Sequence, residues 1–88
     1  MVSESERRHP TVFPGFKEMA ERRRTVTGQL VSLRRELGLS QAEVASRMGT
    51  SQSAVARFEA GDLDARLSTV ERYTMALGAR LKWRIEHA

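Results

Sequence analysis

Gln52, Ser53, Ala56 and Arg57 have the types and spacing to read the edges of nucleic-acid bases. Placed on a helix, they share one outward face. Their side chains are short or flexible, and three of the four can hydrogen-bond. A helix N-terminus that presents glutamine and serine fits the DNA major groove, where glutamine can bond adenine bidentately.

Other chemistries find no comparable set. The chain has no cysteine, which removes disulfides, thiolate metal ligands and a cysteine nucleophile, and is compatible with a reducing cytosol. His9 and His87 lie near opposite ends without H-x-x-x-H spacing, so neither reads as a metal ligand. There is no G-x-S-x-G, no His/Asp set placed to activate a serine, and no glycine-rich phosphate loop. No residue supports an enzyme, and no cofactor or metal is expected.

Composition points the same way. Fifteen basic and 11 acidic residues leave a formal charge of +4, and 13 of the basic residues are arginine. Arginine suits phosphates and guanine edges through its planar fork, so an anionic partner is favoured. The excess is modest and does not by itself select nucleic acid. No run of 18 apolar residues exists to span a membrane, and Met1 to Pro10 lacks the apolar stretch of a secretory signal. The expected location is cytoplasmic, at the nucleoid. At 88 residues the chain holds at most one domain. A domain this small buries roughly 60–65% of its unfolded surface, so a dimer partner would help it.

The elements that must position the four residues follow from caps and periodicity. Residues 1–15 read as a flexible N-terminal arm, in which Thr11-Val12-Phe13 could form a short strand. From Phe16 the pattern is helical: Phe16, Met19, Val26, Leu30, Leu33 and Leu37 follow one face, interrupted by Arg23. Gly28 costs roughly 1 kcal/mol within a helix, and Thr25 or Thr27 could cap a new one. This predicts either one bent helix or an N-terminal helix over 16–27, a break, and a helix from about 28 to 37 ended by Gly38. Ser40-Gln41-Ala42-Glu43 is a capping box for a helix to about Met48 that buries Val44, Ala45 and Met48. Gly49-Thr50-Ser51 forms the turn, with Ala45 at the closest approach of the two helices. Ser51 caps the helix Gln52 to Ala60, which buries Val55 and Phe58 and stops at Gly61. Two short helices joined by a glycine-containing turn make a helix-turn-helix unit. Ser68-Thr69-Val70-Glu71 reads as a second capping box, opening a helix with Val70, Tyr73, Met75 or Ala76, and Leu77 inward and Gly78 at its end. Beyond it, Leu81, Trp83 and Ile85 alternate with charged residues, the period of a half-buried strand.

The runs Leu39-Ser40-Gln41-Ala42-Glu43-Val44-Ala45, Gly49-Thr50-Ser51-Gln52-Ser53-Ala54-Val55 and Phe58-Glu59-Ala60-Gly61 resemble the XRE family of phage-repressor-like DNA-binding domains over about residues 28–78. The resemblance implies that Gln41 bonds a DNA phosphate and braces the recognition helix, and that Gln52 and Ser53 face base edges. It places Ala56 against a thymine methyl or leaves it neutral, and lets Arg57 reach a base or a phosphate. Ser51 would cap the helix and touch a phosphate, and Thr50 joins the DNA-binding set. Arg34 and Glu59 match the family's buried ion pair. Ala60 departs from the polar residue often found there, which removes one phosphate contact. Leu67, Thr69, Tyr73, Ala76, Leu77 and Gly78, followed by the alternating segment, resemble antitoxins of the HigA and HipB type within the family.

The expected fold is all-α: a four- to five-helix bundle of phage-repressor type with a helix-turn-helix over 28–78 and one short C-terminal β-strand over 79–88. A lone strand needs a partner. Leu81, Trp83 and Ile85 are therefore expected to make a homodimer contact, the rival being pairing with Thr11-Val12-Phe13. The Arg22-Arg23-Arg24 run reads first as a solvated face, with flanking phosphates or an acidic toxin surface as alternatives. The resulting expectation is a bacterial repressor that binds double-stranded DNA as a homodimer on a palindromic operator and regulates its own gene. The rival is an antitoxin that neutralises a protein toxin and uses DNA binding for feedback.

Overall fold

The computed structural model describes residues 15–61, 65–82 and 84–87. Four helices occur among them: α1 (Phe16–Glu36), α2 (Gln41–Met48), α3 (Gln52–Glu59) and α4 (Leu67–Ala76).

α1 runs unbroken through 21 residues. Of the two alternatives read from the sequence, a single helix forms and no break occurs at Gly28. A Cβ built there meets nothing within 4 Å, so the helix surface is open at that point. The hydroxyl of Thr25 donates to the Glu21 carbonyl at 3.0 Å, which satisfies it inside the helix rather than at a cap. Packing decides the rest: Leu30 is buried, and Val26 and Leu33 lie against the core, which offsets the roughly 1 kcal/mol that glycine costs. The apolar stripe is narrower than its periodicity predicts, because Met19 and Leu37 are exposed.

α2 opens with the complete capping box. Ser40 Oγ accepts from the Glu43 N–H at 3.0 Å, and Glu43 Oε1 accepts from the Ser40 N–H at 3.1 Å. The backbone N–H of Ser40, and after it the Ser40 hydroxyl, holds the Glu43 carboxyl below its ordinary range. Gly49 ends α2 with φ at 70°, a left-handed conformation that is cheap only without a side chain. The Thr50 N–H then closes the turn onto the Ala45 carbonyl at 2.9 Å. α3 starts at its Ser51 cap, whose Oγ accepts from the Ala54 N–H at 3.1 Å.

The core lies where the four helices meet. Val44 and Ala45 of α2, Val55 and Phe58 of α3, and Tyr73 and Ala76 of α4 with Leu77 at its C-terminal cap close on Leu30 of α1. Burying side chains of the size of Val44 or Val55 contributes about 1.5–3 kcal/mol each. The Phe58 and Tyr73 rings sit 4.9 Å apart at 38°, a tilted aromatic pair that ties α3 to α4.

Two expectations need correction here. The Ser68-to-Glu71 capping box does not form: α4 begins one residue before Ser68, at Leu67, with Arg66 in the cap position and no side-chain cap bond. Ser68 and Thr69 thus fall inside the first turn. The C-terminal β-strand is also absent among the described residues. Residues 79–82 and 84–87 carry no regular structure, Leu81 is half-buried and Ile85 is 99% exposed. A strand is defined by its ladder, and no second strand exists among the described residues to provide one. Trp83, Thr11-Val12-Phe13 and the rest of the N-terminal arm before Gly15 lie outside the described residues.

Candidate nucleic-acid interface

α3 presents the four residues singled out from the sequence. Gln52, Ser53 and Arg57 are exposed, and Ala56 beside them is half-buried. Thr50 and Ser51, also exposed, lead into the helix. The hydroxyls of Ser51 and Ser53 are 3.2 Å apart, so the first turn of α3 carries a pair of mutually bonded hydroxyls. Opposite this face, Val55 and Phe58 anchor the helix in the core. The outward face is therefore rigid in direction and polar in content.

Its orientation is fixed from the C-terminal end by Glu59, the last residue of α3. Glu59 Oε2 accepts from Arg34 Nε at 2.7 Å and from the Tyr73 hydroxyl at 2.7 Å. Glu59 Oε1 accepts from Arg34 Nη2 at 3.0 Å and from Gln41 Nε2 at 3.0 Å. One carboxylate thereby joins all four helices. Arg34 of α1 also donates through Nη1 to the Leu39 carbonyl at 2.8 Å, which ties the same guanidinium to the α1–α2 turn. The ion pair is well shielded, with 10% and 7% of the two side chains exposed.

The electrostatics follow from this saturation. Burial alone would push the Glu59 carboxyl up, but donors from Arg34, Gln41 and Tyr73 outweigh it and hold it below the ordinary range. The hydrogen bond to Glu59 raises the Arg34 guanidinium further, against the opposing effect of burial. Burial first, and then the bond to Glu59, raises the Tyr73 phenol well above its usual value. All three ionisable groups keep their ordinary protonation state at neutral pH, so the brace is not a pH switch there.

Gln41 stands at the first residue of α2 with one amide N–H on Glu59. Its amide carries two hydrogens, so one donor is left for another acceptor. Two positioning contacts were missed in the sequence reading. Periodicity places Tyr73 inward, and the structure adds that its hydroxyl is the fourth donor to Glu59. The signal was available: a buried tyrosine must find a partner for its hydroxyl. Arg47 of α2 donates to the Ala76 carbonyl at 2.7 Å and so fastens the end of α4. Nothing in spacing alone announces that bond.

Across residues 30–84 the chain matches the family model described as helix-turn-helix. The chain belongs to the helix-turn-helix family, in its XRE branch. This helix-turn-helix chain is 46% identical over 74 residues to Antitoxin HigA1 of Mycobacterium tuberculosis, in the CDC 1551 and H37Rv strains alike. The alignment covers 84% of this chain and 50% of that relative. It is also 43% identical over 56 residues to HigA3 of the H37Rv strain, covering 61% of this chain and 51% of the relative. The helix-turn-helix chain thus spans about half the length of the curated relatives it matches. No solved structure gives a significant match. Among the described residues no helix is long and apolar enough to cross a membrane.

Proposed function

We propose that this protein is a sequence-specific DNA-binding regulator that represses transcription, acting as a homodimer on a palindromic operator and controlling its own gene. The observation that carries the proposal is the presentation of Gln52, Ser53, Ala56 and Arg57 on a helix whose direction is fixed by the four-donor brace at Glu59. In this reading α3 enters the major groove. Gln52 and Ser53 contact base edges, Ala56 meets a thymine methyl, and Arg57 takes a guanine edge or a phosphate. Thr50, Ser51 and the free amide N–H of Gln41 take flanking phosphates, which set the register without carrying sequence information.

Two such helices must lie about 34 Å apart to enter successive major grooves. The C-terminal segment is proposed as the dimer contact, through Leu81, Trp83 and Ile85. The near-complete exposure of Ile85 supports this, since an apolar side chain of that size gains from being covered. The protein would act in the bacterial cytoplasm, at the nucleoid, and needs no cofactor.

A second reading concerns a protein partner. The 46% identity to an antitoxin over most of this chain favours an antitoxin role, in which the protein neutralises a toxin and DNA binding supplies the feedback. The two readings are compatible.

Selection of bound sequences from a random DNA pool tests the first. A two-fold symmetric motif that recurs upstream of the protein's own gene supports a dimeric autoregulator. Failure to enrich any sequence sinks it. For the second, the product of the adjacent reading frame is expressed with and without this protein: growth arrest relieved only by co-expression supports the antitoxin role, and arrest that persists rejects it.

A further inference from the structure

We infer that the groove between α1, the start of α4 and the C-terminal segment is a protein-docking site, which takes an apolar side chain flanked by carboxylates from the toxin of the antitoxin reading. The inference rests on that second reading and deepens it by naming the surface and the chemistry of the contact.

The groove encloses about 610 Å³. Its walls are mainly apolar: Val26 of α1, Leu67 and Val70 of α4 and Leu81 of the C-terminal segment surround Phe58, which reaches it from α3. Val26, Val70 and Leu81 are half-buried, and Leu67, the first residue of α4, leaves 64% of its surface exposed. Exposed apolar surface with a polar rim marks a place of association.

The rim is basic. Arg22, Arg23, Arg66, Lys82 and Arg84 border the groove, and no carboxylate of a described residue lines it. Glu86 forms an exposed ion pair with Arg84 at 3.7 Å. Asp62 and Asp64, close before Ala65 in the chain, lie outside the described residues. Set against the five cations, those two aspartates and Glu86 still leave a positive excess. That excess favours an acidic partner. A nucleic-acid backbone would meet the cations but leave Leu67 and Leu81 uncovered, so an apolar wall under a basic rim selects a protein.

Position lets the contact coexist with DNA. None of the side chains proposed to meet DNA lines the groove. Of the residues proposed for the dimer contact, Leu81 lines it and Ile85 does not, which makes a second copy of this chain the competing occupant.

The test uses the full chain and the purified product of the adjacent reading frame. Leu67→Glu puts a carboxylate into the first turn of α4, where the helix dipole accepts it, and Arg22→Glu/Lys82→Glu reverses the rim. Circular dichroism and thermal melting confirm that both variants fold. Each is expected to lose about tenfold or more in affinity for the partner. Wild-type affinity should fall as salt is raised, and less steeply in the charge-reversed variant. A benzophenone side chain placed at position 67 should cross-link to an acidic segment of the partner, and operator DNA should join the complex without displacing it. Wild-type affinity in both folded variants overturns the docking site and leaves the antitoxin reading standing. Cross-links to a second copy, or to this chain's own N-terminal residues, overturn it by identifying another occupant. Displacement by operator DNA overturns it too, because the partner then shares the base-reading face. If the wild type neither binds nor neutralises the product, the antitoxin reading itself fails and takes the docking site with it.

Discussion

Arg34 grips Glu59 with two prongs, Nε to Oε2 at 2.7 Å and Nη2 to Oε1 at 3.0 Å, and so joins α1 to the end of α3. Removing one partner strands the other as a shielded, unpaired charge. Arg34→Met should therefore cost about 3–5 kcal/mol in chemical denaturation, whereas Arg34→Met combined with Glu59→Leu should cost clearly less than the sum of the single changes. Additive losses would show that the pair is not coupled.

The same carboxylate makes the fold sensitive to acid. Its folded value lies below the ordinary 4.5, so the unfolded chain binds more protons as pH falls through that region. The stabilisation from Glu59 is fully present above the unfolded value and is lost as pH drops through the folded one. Urea midpoints measured from neutral pH down through that window should fall in the wild type. The fall should be shallower in Glu59→Gln, which has no proton to take up there.

Tyr73→Phe isolates the hydroxyl, because the ring that stacks on Phe58 is kept. A hydrogen bond to a charged acceptor contributes about 1.5–3 kcal/mol, and a loss in that range is expected from thermal or urea denaturation. Operator affinity measured well below the melting point should change little, since Arg34 and Gln41 still hold Glu59. A large loss of affinity without loss of stability would give Tyr73 a direct contact with DNA.

Gln52→Ala and Arg57→Ala address the base-reading face. Both side chains are exposed, so stability should hold within about 0.5 kcal/mol. Gln52→Ala should relax preference at one base pair by about 1–3 kcal/mol, read by repeating the sequence selection with the variant. Arg57→Ala should weaken specific binding. Wild-type behaviour from both variants would displace the recognition face from α3.

Gly28→Ala is the opposite kind of change. The residue is helical, and a Cβ there meets nothing within 4 Å. The substitution should stabilise the protein by about 0.5–1 kcal/mol, seen as a raised melting temperature. Destabilisation would mean that α1 needs to bend at this point.

Caps and turns were legible in the sequence because they are made by neighbours. Ser40 and Glu43, three residues apart, can satisfy each other's backbone wherever the helix lies, and Ser51 reaches Ala54 by the same local geometry. Gly49 marks the turn through its own left-handed backbone. The outward position of Gln52, Ser53 and Arg57 follows from helical period once Val55 and Phe58 are taken inward. Tertiary structure decided what depends on distant groups. Whether Gly28 breaks α1 turned on the core that Leu30 enters, and the start of α4 at Leu67 went against a local capping signal. Tyr73 joined Glu59, 14 positions away in the chain, only because α3 and α4 pack with the Phe58 and Tyr73 rings in contact. The alternating C-terminal segment shows the limit most plainly: period sets which side chains share a face, but a strand exists only where another backbone supplies its hydrogen bonds.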